Sequence, residues 1–329
     1  MEKTAETSYS TSEQKGNADV TQKSRQNTLT PGLNNAMNFD LKSYPCAICG
    51  NEPARPLYKV KGFDIVQCGD CSFVFVNPRI RNSELYKLYS DHYFTSRSEN
   101  YGYQDYELTS HLRNKTFQRW ISEILPFVSK DKGPVLDIGC ASGAFVELML
   151  EKGWETEAIE LDHGMIKKLK EKNIKVSERP FEEFVSDKKF KLITMFDVLE
   201  HIPDLKTTFQ KFHDLLDDDG VVVLITPDFG ATQRKIFGKK WFQFKPLEHI
   251  QYFSAETLAK AITPYGLTLV HSSASGQYAD TGFLLDRLNR YDFKFLKVIA
   301  TLFVKIFGLK NKYLYLDTGS LFAVIKKQK

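Results

Sequence analysis

The chain has 329 residues, enough for about two domains, and its 42% hydrophobic and 26% charged residues are ordinary for a globular protein. Its 45 basic and 41 acidic residues leave a net charge of +4, which gives no electrostatic argument for a nucleic-acid partner. No run of about 18 apolar residues and no apolar signal-peptide core occurs, so we expect neither a membrane-spanning helix nor secretion, and a cytoplasmic location by default.

The first segment of the chain, residues 1–40, is rich in Ser, Thr, Asn, Gln and Lys and contains almost no large apolar residue. Such a composition cannot bury enough surface to offset the entropy that is lost on ordering. We therefore predict a disordered tail, passive rather than carrying a motif for a partner.

Four of the five cysteines lie within residues 41–80, among short β-rich runs such as PLYKV and FDIVQC. They form two C-x2-C pairs separated by 18 residues, namely Cys46 with Cys49 and Cys68 with Cys71. This spacing is typical of a four-thiolate zinc site, and because four protein ligands close the tetrahedron, the zinc would be structural. Free thiols and two disulfides are the alternatives, and a reducing compartment disfavours disulfides. We therefore predict a zinc ribbon.

Residues 81–130 have a helical pattern around an aromatic-rich segment, DHYFTSRSENYGYQDY. Within it, Tyr103 and Tyr106 combine an apolar ring with a polar tip, which suits residues that close over a bound ligand. A lid over the site is one hypothesis for this segment, and plain packing of an N-terminal helix is the other.

From residue 131 onward, strands and helices alternate, and the strand-like runs are PVLDIG, WETEAIELD, KKFKLITMF and GVVVLITPD. This order is typical of a parallel sheet with right-handed helical crossovers. Ser254 is placed to cap a further helix, SAETLAKAITPYG, and two more strands, LTLVHSSA and GSLFAVIKK, follow. We therefore predict an α/β fold with a doubly wound, mostly parallel sheet.

A glycine turn follows the first of these strands, in VLDIGCASGAF at residues 135–145. Gly139 and Gly143 let the backbone approach a ligand closely, and the helix that begins after them offers unpaired N–H groups. Glu160 ends the next strand, where a carboxylate can accept hydrogen bonds from both ribose hydroxyls of an adenosine. The alternative is that Glu160 only caps the next turn. The fifth cysteine, Cys140, lies in the glycine turn and is not expected to bind metal.

Four motifs in chain order, LDIGCASG, AIELD, FDVLEHIPD and LLDDDGVVVLITPD, resemble those of the class I S-adenosylmethionine-dependent methyltransferases. With the cysteine pairs and the segments GYQDY and WFQFKPLEHIQYFSAETL, they are similar to a zinc-ribbon subgroup associated with sugar, lipid and natural-product modification. The resemblance covers about residues 44–329, and the turn departs from G-x-G-x-x-G at Ala141 and Ser142. It implies a seven-stranded Rossmann-like methyltransferase domain over residues 131–329, with a helical insertion at about 280–312 before the last strand.

The resemblance also implies contacts with S-adenosylmethionine for nine residues. They are Asp137, Gly139 and Gly143 at the methionine half, Glu160 at the ribose, Phe181 and Glu182 beside the adenine, Phe196 and Asp197 beneath the methionine part, and Tyr103 in the lid. Since Ala is small, the departure at Ala141 is compatible with cofactor binding.

Two histidines are candidates for a catalytic base. Methyl transfer from a sulfonium is a direct displacement, so the protein aligns the acceptor and removes a proton where the acceptor requires it. His201 in LEHIPD and His249 in PLEHIQYF both follow strands of the sheet, and an ordinary pKa of about 6.5 suits either to the task. The alternative for each is a structural, hydrogen-bonded histidine. Trp241, Phe242 and Phe244 precede His249 as an apolar cluster, consistent with a substrate wall.

Residues 284–309 contain a basic, amphipathic helical pattern. Apolar side chains recur at steps of three or four, at Leu284, Leu288, Tyr291, Phe295, Val298, Leu302 and Ile306. Over residues 286–312 seven basic residues outnumber two acidic ones, a local charge of +5. The pattern is typical of a helix in a membrane interface, which would suit a lipid-borne acceptor. The alternative is that the apolar stripe packs on the sheet or on a second subunit.

We therefore expect methyl transfer to an oxygen or carbon of a small molecule, such as a sugar, a glycan or a lipid-linked intermediate. The absence of an N-P-P-Y-type sequence and of a broad basic stripe disfavours nucleic-acid and protein acceptors. A nicotinamide oxidoreductase is disfavoured by the glycine pattern and by FDVLEHIPD. The intact Gly139, Gly143 and Glu160 argue against a zinc-ribbon binding protein with a vestigial cofactor domain. The sequence leaves the oligomeric state open.

Overall fold

The computed structural model describes residues 39–52, 54–89, 109–281 and 312–329, with six further positions between 298 and 306. Three predicted features lie outside the described residues, wholly or in large part. They are residues 1–38 of the predicted tail at 1–40, the tyrosines Tyr103 and Tyr106, and most of the basic helix at 284–309. The hypotheses that concern them therefore stay predictions.

The N-terminal part of the described chain forms small antiparallel sheets. Its elements are β1 (Leu41–Lys42), β2 (Ala54–Val60), β3 (Phe63–Cys68), β4 (Val74–Val76), β5 (Arg79–Ile80) and the short helix α1 (Asn82–Leu85). β2, β3 and β4 pair as successive antiparallel neighbours, and β1 pairs with β5. In β3 the buried Phe63 and Ile65 flank the more exposed Asp64, the alternation of a strand with one face on a core.

A seven-stranded sheet forms the body of the molecule. In chain order its region contains α2 (Ser110–Ile124), β6 (Pro134–Ile138), α3 (Ala144–Glu151), β7 (Glu155–Ile159), α4 (His163–Glu171), β8 (Val176–Ser177), β9 (Phe190–Phe196), α5 (Leu205–Leu215), β10 (Leu216–Pro227), α6 (Thr232–Phe237), β11 (Gln251–Tyr252), α7 (Ala255–Ile262), β12 (Leu267–Asp280) and β13 (Tyr313–Lys327). The strand order is β12-β13-β10-β9-β6-β7-β8. The strands from β10 to β8 are parallel, and β13 is antiparallel to both of its neighbours. The predicted doubly wound, mostly parallel sheet is confirmed.

Short 3-10 turns connect several of these elements. They cover Tyr86–Tyr89, Leu125–Phe127, Phe181–Glu183, Leu199–His201, Gly238–Lys240 and Thr263–Tyr265. Three of the described α-helices, α4, α5 and α7, begin with a side-chain cap. The Asp204 carboxylate accepts from the Thr207 N–H at 3.0 Å before α5, and the predicted cap Ser254 accepts from the Thr257 N–H at 3.2 Å before α7. Among the described helices, none is long and apolar enough to cross a membrane.

The last two strands extend further than the sequence pattern predicts, because they continue pairing as a long hairpin towards the predicted insertion. The Trp120 indole of α2 donates to the Gly276 carbonyl at 3.2 Å, and the rings of Tyr278 and Tyr315 meet across the hairpin at 5.3 Å. The first contact holds the extension against α2, and the second joins the two strands of the hairpin. The described positions between 298 and 306 are helical and exposed.

The cysteine-containing sheet is joined to the larger one through β11. Gln251 pairs with Phe75, and Tyr252 with Val74, which makes β11 the fourth strand of the small sheet. The Val76 N–H also donates to the Ile250 carbonyl at 2.9 Å. The segment that carries His249 is therefore held by the N-terminal sheet as well as by its own domain.

Candidate active site

The glycine turn opens the carboxyl edge of the sheet between β6 and α3. Gly139 and Gly143 have φ angles of +74° and +80°, which side chains rarely adopt. A Cβ atom on Gly139 would lie 2.4 Å from the Cγ2 atom of Val198, and one on Gly143 would lie 2.5 Å from Leu169. Both positions thus require glycine, and the backbone N–H groups at the start of α3 border the edge where open parallel sheets bind ligands.

Glu160 is buried directly beside this turn. One carboxylate oxygen accepts from the Ala141 N–H at 2.7 Å, and the other accepts from the N–H groups of Leu161 and Asp162 at 2.7 and 2.9 Å. Burial raises the pKa of Glu160 while these donors lower it. The carboxylate thus joins the glycine turn to the turn after β7, and its remaining lone pairs can still accept from a ligand. Capping and ligand binding are compatible roles here.

Asp137 lies within β6, below the glycine turn. The Thr194 hydroxyl of β9 donates to its carboxylate at 2.7 Å, and both side chains are buried. Burial raises the pKa of Asp137 to about 7, a shift that the Thr194 hydrogen bond opposes and the negative charge of Glu160 reinforces. Asp137 and Glu160 therefore form a buried acidic pair at this edge.

The residues expected at the adenine are partly engaged in packing. Phe181 is buried against Phe212, with ring centroids 5.3 Å apart. Glu182 accepts a hydrogen bond from the Tyr86 hydroxyl at 2.7 Å, and burial raises the pKa of this carboxyl. The segment before residue 90 thereby contacts the site through Tyr86, which the sequence analysis did not single out.

The fourth parallel strand, β9, ends at Phe196, and Asp197 follows it directly. Phe196 lies among aromatic rings of α2 and α3, including Trp120 and Phe145 at 5.1 Å each. Asp197 adopts a φ angle of +53°, and burial raises its pKa to about 6 although the positive charge of Lys245 lowers it. Such a strained, desolvated carboxyl at a strand end is characteristic of functional sites.

His201 and His249, the two candidates for a catalytic base, lie in contact with each other. Their rings meet edge to face with centroids 4.8 Å apart, and both are buried. The Nδ1 atom of His201 lies 3.0 Å from the Glu248 carbonyl, and that of His249 lies 2.9 Å from the Gln243 carbonyl. Burial lowers the pKa of His201 to about 4 and places that of His249 well below its usual range. Both imidazoles are therefore neutral near pH 7.

Two glutamates that the sequence analysis missed complete this cluster. Glu200 Oε1 lies 3.9 Å from His201 Nε2 and 4.0 Å from His249 Nε2, while its other oxygen accepts from the Thr226 hydroxyl at 2.9 Å. Glu248 Oε1 lies 4.0 Å from His249 Nε2 and forms an ion pair with Lys245 at 3.1 Å. Desolvation raises the pKa of Glu200 well above its usual range. The available signal was the tetrapeptide LEHI, which occurs twice, at 199–202 and 247–250.

An aromatic group packs beside His249. Trp241 contacts Phe244 at 5.1 Å, Phe244 contacts Tyr252 at 5.1 Å, and Tyr252 lies 6.4 Å from His249. Trp241, Phe244 and Tyr252 are buried, and Phe242 is half-buried. The predicted apolar cluster therefore connects to His249 through Tyr252.

The four cysteines of the N-terminal sheet converge on one point. Cys46 and Cys71 have sulfur atoms 3.4 Å apart, and those of Cys49 and Cys68 are 3.5 Å apart. These separations exceed the bond length of a disulfide, about 2.05 Å, and approach those of four thiolates around one tetrahedral zinc. The four sulfur ligands and their geometry thus fit zinc. Cys140 is not part of this cluster and lies in a buried apolar cluster beside β6.

Comparisons with known proteins find similarity to methyltransferases. The sequence profile of the methyltransferase-domain family matches residues 109–272. The malonyl-[acyl-carrier protein] O-methyltransferase of Hamiltonella defensa subsp. Acyrthosiphon pisum (strain 5AT) is 28% identical over 142 residues, 41% of this chain and 53% of that protein. The ubiquinone biosynthesis O-methyltransferase of Actinobacillus pleuropneumoniae serotype 7 (strain AP76) is 31% identical over 104 residues, 28% of this chain and 44% of that protein. The chain thus spans about half the length of the curated relatives it matches.

Among solved structures, the chain is similar to an S-adenosylmethionine-dependent methyltransferase from Clostridium acetobutylicum ATCC 824. The TM-score is 0.44 at 13% sequence identity, and the match covers 66% of this chain and 92% of that one.

Proposed function

We propose that this chain, whose residues 109–272 match the methyltransferase-domain family, acts as a class I S-adenosylmethionine-dependent methyltransferase on an oxygen or carbon of a small molecule. The acceptor in this proposal is a sugar, a glycan or a lipid-linked biosynthetic intermediate. The observation that carries the proposal is the convergence of two neutral, buried histidines at the sheet edge that also carries the glycine turn. The two curated relatives that are named O-methyltransferases favour an oxygen acceptor.

The glycine turn and Glu160 would hold the cofactor. The turn offers backbone N–H groups without side-chain obstruction, and Glu160 offers carboxylate lone pairs to the ribose hydroxyls. Asp137, Phe196 and Asp197 border the same sheet edge, in the positions proposed for the methionine half. The cofactor, when bound, supplies an electrophilic methyl group, so the protein's task is alignment and proton removal.

His249 is the proposed base, and His201 is the second candidate. A proton on Nδ1 of His249 is donated to the Gln243 carbonyl, which leaves Nε2 as the basic atom. The imidazolium formed when the acceptor loses its proton would favour ionisation of the Glu200 carboxyl group, 4.0 Å from that Nε2, and the resulting ion pair would stabilise it. The aromatic group of Trp241, Phe244 and Tyr252 would exclude water next to this base.

Titration calorimetry tests the cofactor assignment. The purified chain should bind S-adenosylmethionine and S-adenosylhomocysteine and give no heat with NAD. Binding of NAD alone would support an oxidoreductase, and binding of none of the three would support a vestigial domain.

Structural zinc and peripheral membrane contact belong to the same proposal. The Cys46, Cys49, Cys68 and Cys71 cluster would hold one zinc ion and fix the N-terminal sheet.

The exposure of Val298, Leu302 and Ile306 supports contact of the 284–309 segment with the inner face of a membrane, where a lipid-linked acceptor would lie.

A further inference from the structure

A second surface, separate in sequence from the 284–309 segment, combines exposed apolar side chains with positive charge. At the end of α6, Ile236 and Phe237 are 71% and 45% exposed. Four cations flank them, namely Arg234, Lys235, Lys239 and Lys240. Residues 229–247 contain no Asp or Glu. We call residues 234–240 the α6 tip.

The α6 tip is anchored on both sides. At its start, the Arg234 side chain donates to the Phe229 carbonyl at 2.7 Å and lies over the Phe229 ring. At its end, Trp241 is fully buried and packs against Phe244. The exposure of Ile236 and Phe237 is therefore imposed by buried neighbours, and these two side chains protrude from a fixed base.

The charges near the α6 tip decide what it could contact. The acidic groups that face its base, Asp228 and Asp317, accept hydrogen bonds from the N–H groups of Gly230 and Gly319. A second copy of the chain would present the same four cations and would be repelled. A surface of phosphate groups over acyl chains complements both the lysines and the apolar pair.

We propose that the α6 tip docks on an anionic lipid bilayer, with Ile236 and Phe237 at the boundary of the acyl chains. The segment that leaves the tip runs through Trp241 and Phe244 to His249, so docking would place the proposed base near the bilayer. The proposal that the α6 tip docks on a bilayer is argued from this surface alone. The further idea that docking presents a lipid-borne acceptor to the site rests on the proposed function.

Vesicle flotation tests this proposal with the full chain. The protein should float with vesicles of equal parts phosphatidylcholine and phosphatidylglycerol, and weakly or not at all with phosphatidylcholine alone. Ile236→Ser with Phe237→Ser should weaken binding to the anionic vesicles about tenfold or more. Lys239→Glu with Lys240→Glu should weaken it by about fivefold or more for each lysine.

Matched surface variants provide the control. Val185 is 85% exposed and lies far from the tip in sequence, so Val185→Ser should float like the unaltered chain, as should Lys130→Glu. Equal flotation with both vesicle types, or anionic-vesicle binding unchanged in the tip variants, would overturn the proposal. A change in sedimentation mass in the Ile236 and Phe237 variant would also overturn it, since the tip would then join copies of the chain.

Calorimetry on the same proteins separates the two proposals. Retained S-adenosylmethionine binding in the tip variants would show that they are folded. If the unaltered chain bound anionic vesicles but no S-adenosylmethionine, the proposed function would fail while the docking surface stood.

Discussion

The imidazole rings of His201 and His249 meet edge to face at 86°, and the Nε2 atom of each lies within 4.0 Å of one oxygen of Glu200. The two histidines come from separate turns, each with the sequence LEHI. The Ile250 N–H donates to the Glu200 carbonyl at 2.9 Å, which fixes one turn against the other. The geometry thus couples two candidate bases to a single buried carboxyl group.

Replacing the proposed base should abolish most activity without loss of cofactor. For His249→Asn we expect kcat to fall by about 10²- to 10⁴-fold, the usual contribution of a general base, with unchanged S-adenosylmethionine affinity by calorimetry. His201→Asn should reduce kcat less, because it would act through the position of its neighbour. If the His201 variant were the more damaged of the two, the roles would have to be exchanged.

The pH dependence follows from the lowered pKa of His249. A base must be unprotonated to act, so the rate is lost only as the pH falls through the pKa of that base. Because burial places this pKa well below its usual range, kcat/KM should not decline as the pH is lowered through about 6.5, the ordinary pKa of histidine. A decline centred at that ordinary value would show that the base is solvated, in contradiction to the burial.

The sequence predicted the sheet, the glycine turn at its edge and the Ser254 cap well because these depend on local patterns. Gly139 and Gly143 have positive φ angles, and Ser254 caps its helix. Each of these features can be predicted from the residue type and its neighbours within a few positions. The role of Glu200 could not be deduced in this way. It depends on the loop after β10 returning to the turn after β9, a contact between distant segments.

The pairing of β4 with β11 escaped prediction for the same reason. β11 has only two residues, Gln251 and Tyr252, and their partners lie in the cysteine-containing sheet. A strand so short carries no periodicity of its own. The sequence indicated a zinc ribbon over residues 41–80 and a methyltransferase domain over residues 131–329, and it carried no signal that a short strand of the second region pairs with the sheet of the first.

Glu160 should contribute to cofactor affinity. Glu160→Ala would remove charge-assisted hydrogen bonds to the ribose, about 1.5–3 kcal/mol, and weaken S-adenosylmethionine binding about tenfold or more in calorimetry. Since Glu160 also accepts from three backbone N–H groups, Glu160→Gln is the better control for folding. Unchanged affinity in the folded alanine variant would remove Glu160 from the site.

The glycine turn offers a steric test with its own rescue. Gly139→Ala would combine a positive φ angle with a Cβ atom 2.4 Å from Val198, so we expect weaker cofactor binding and a loss of stability of about 1–2 kcal/mol or more. Val198→Ala in the same chain should recover part of both losses. Gly238→Ala has a positive φ angle but open space around it, so it should reduce stability alone. Full affinity in the Gly139 variant would contradict a cofactor at this turn.

Removal of zinc should disturb the segment that follows His249 as well as the ribbon itself. Metal analysis should give about one zinc per chain, lost in Cys46→Ser and retained in Cys140→Ser, because only the former belongs to the four-sulfur cluster. Without the metal, β4 loses its support, and its hydrogen bonds to Ile250 and β11 should open. Hydrogen exchange at residues 250–252 should therefore accelerate in the Cys46 variant, while exchange in β9 at the centre of the large sheet stays slow. Equal protection of residues 250–252 with and without zinc would show that their own domain suffices to hold the proposed base.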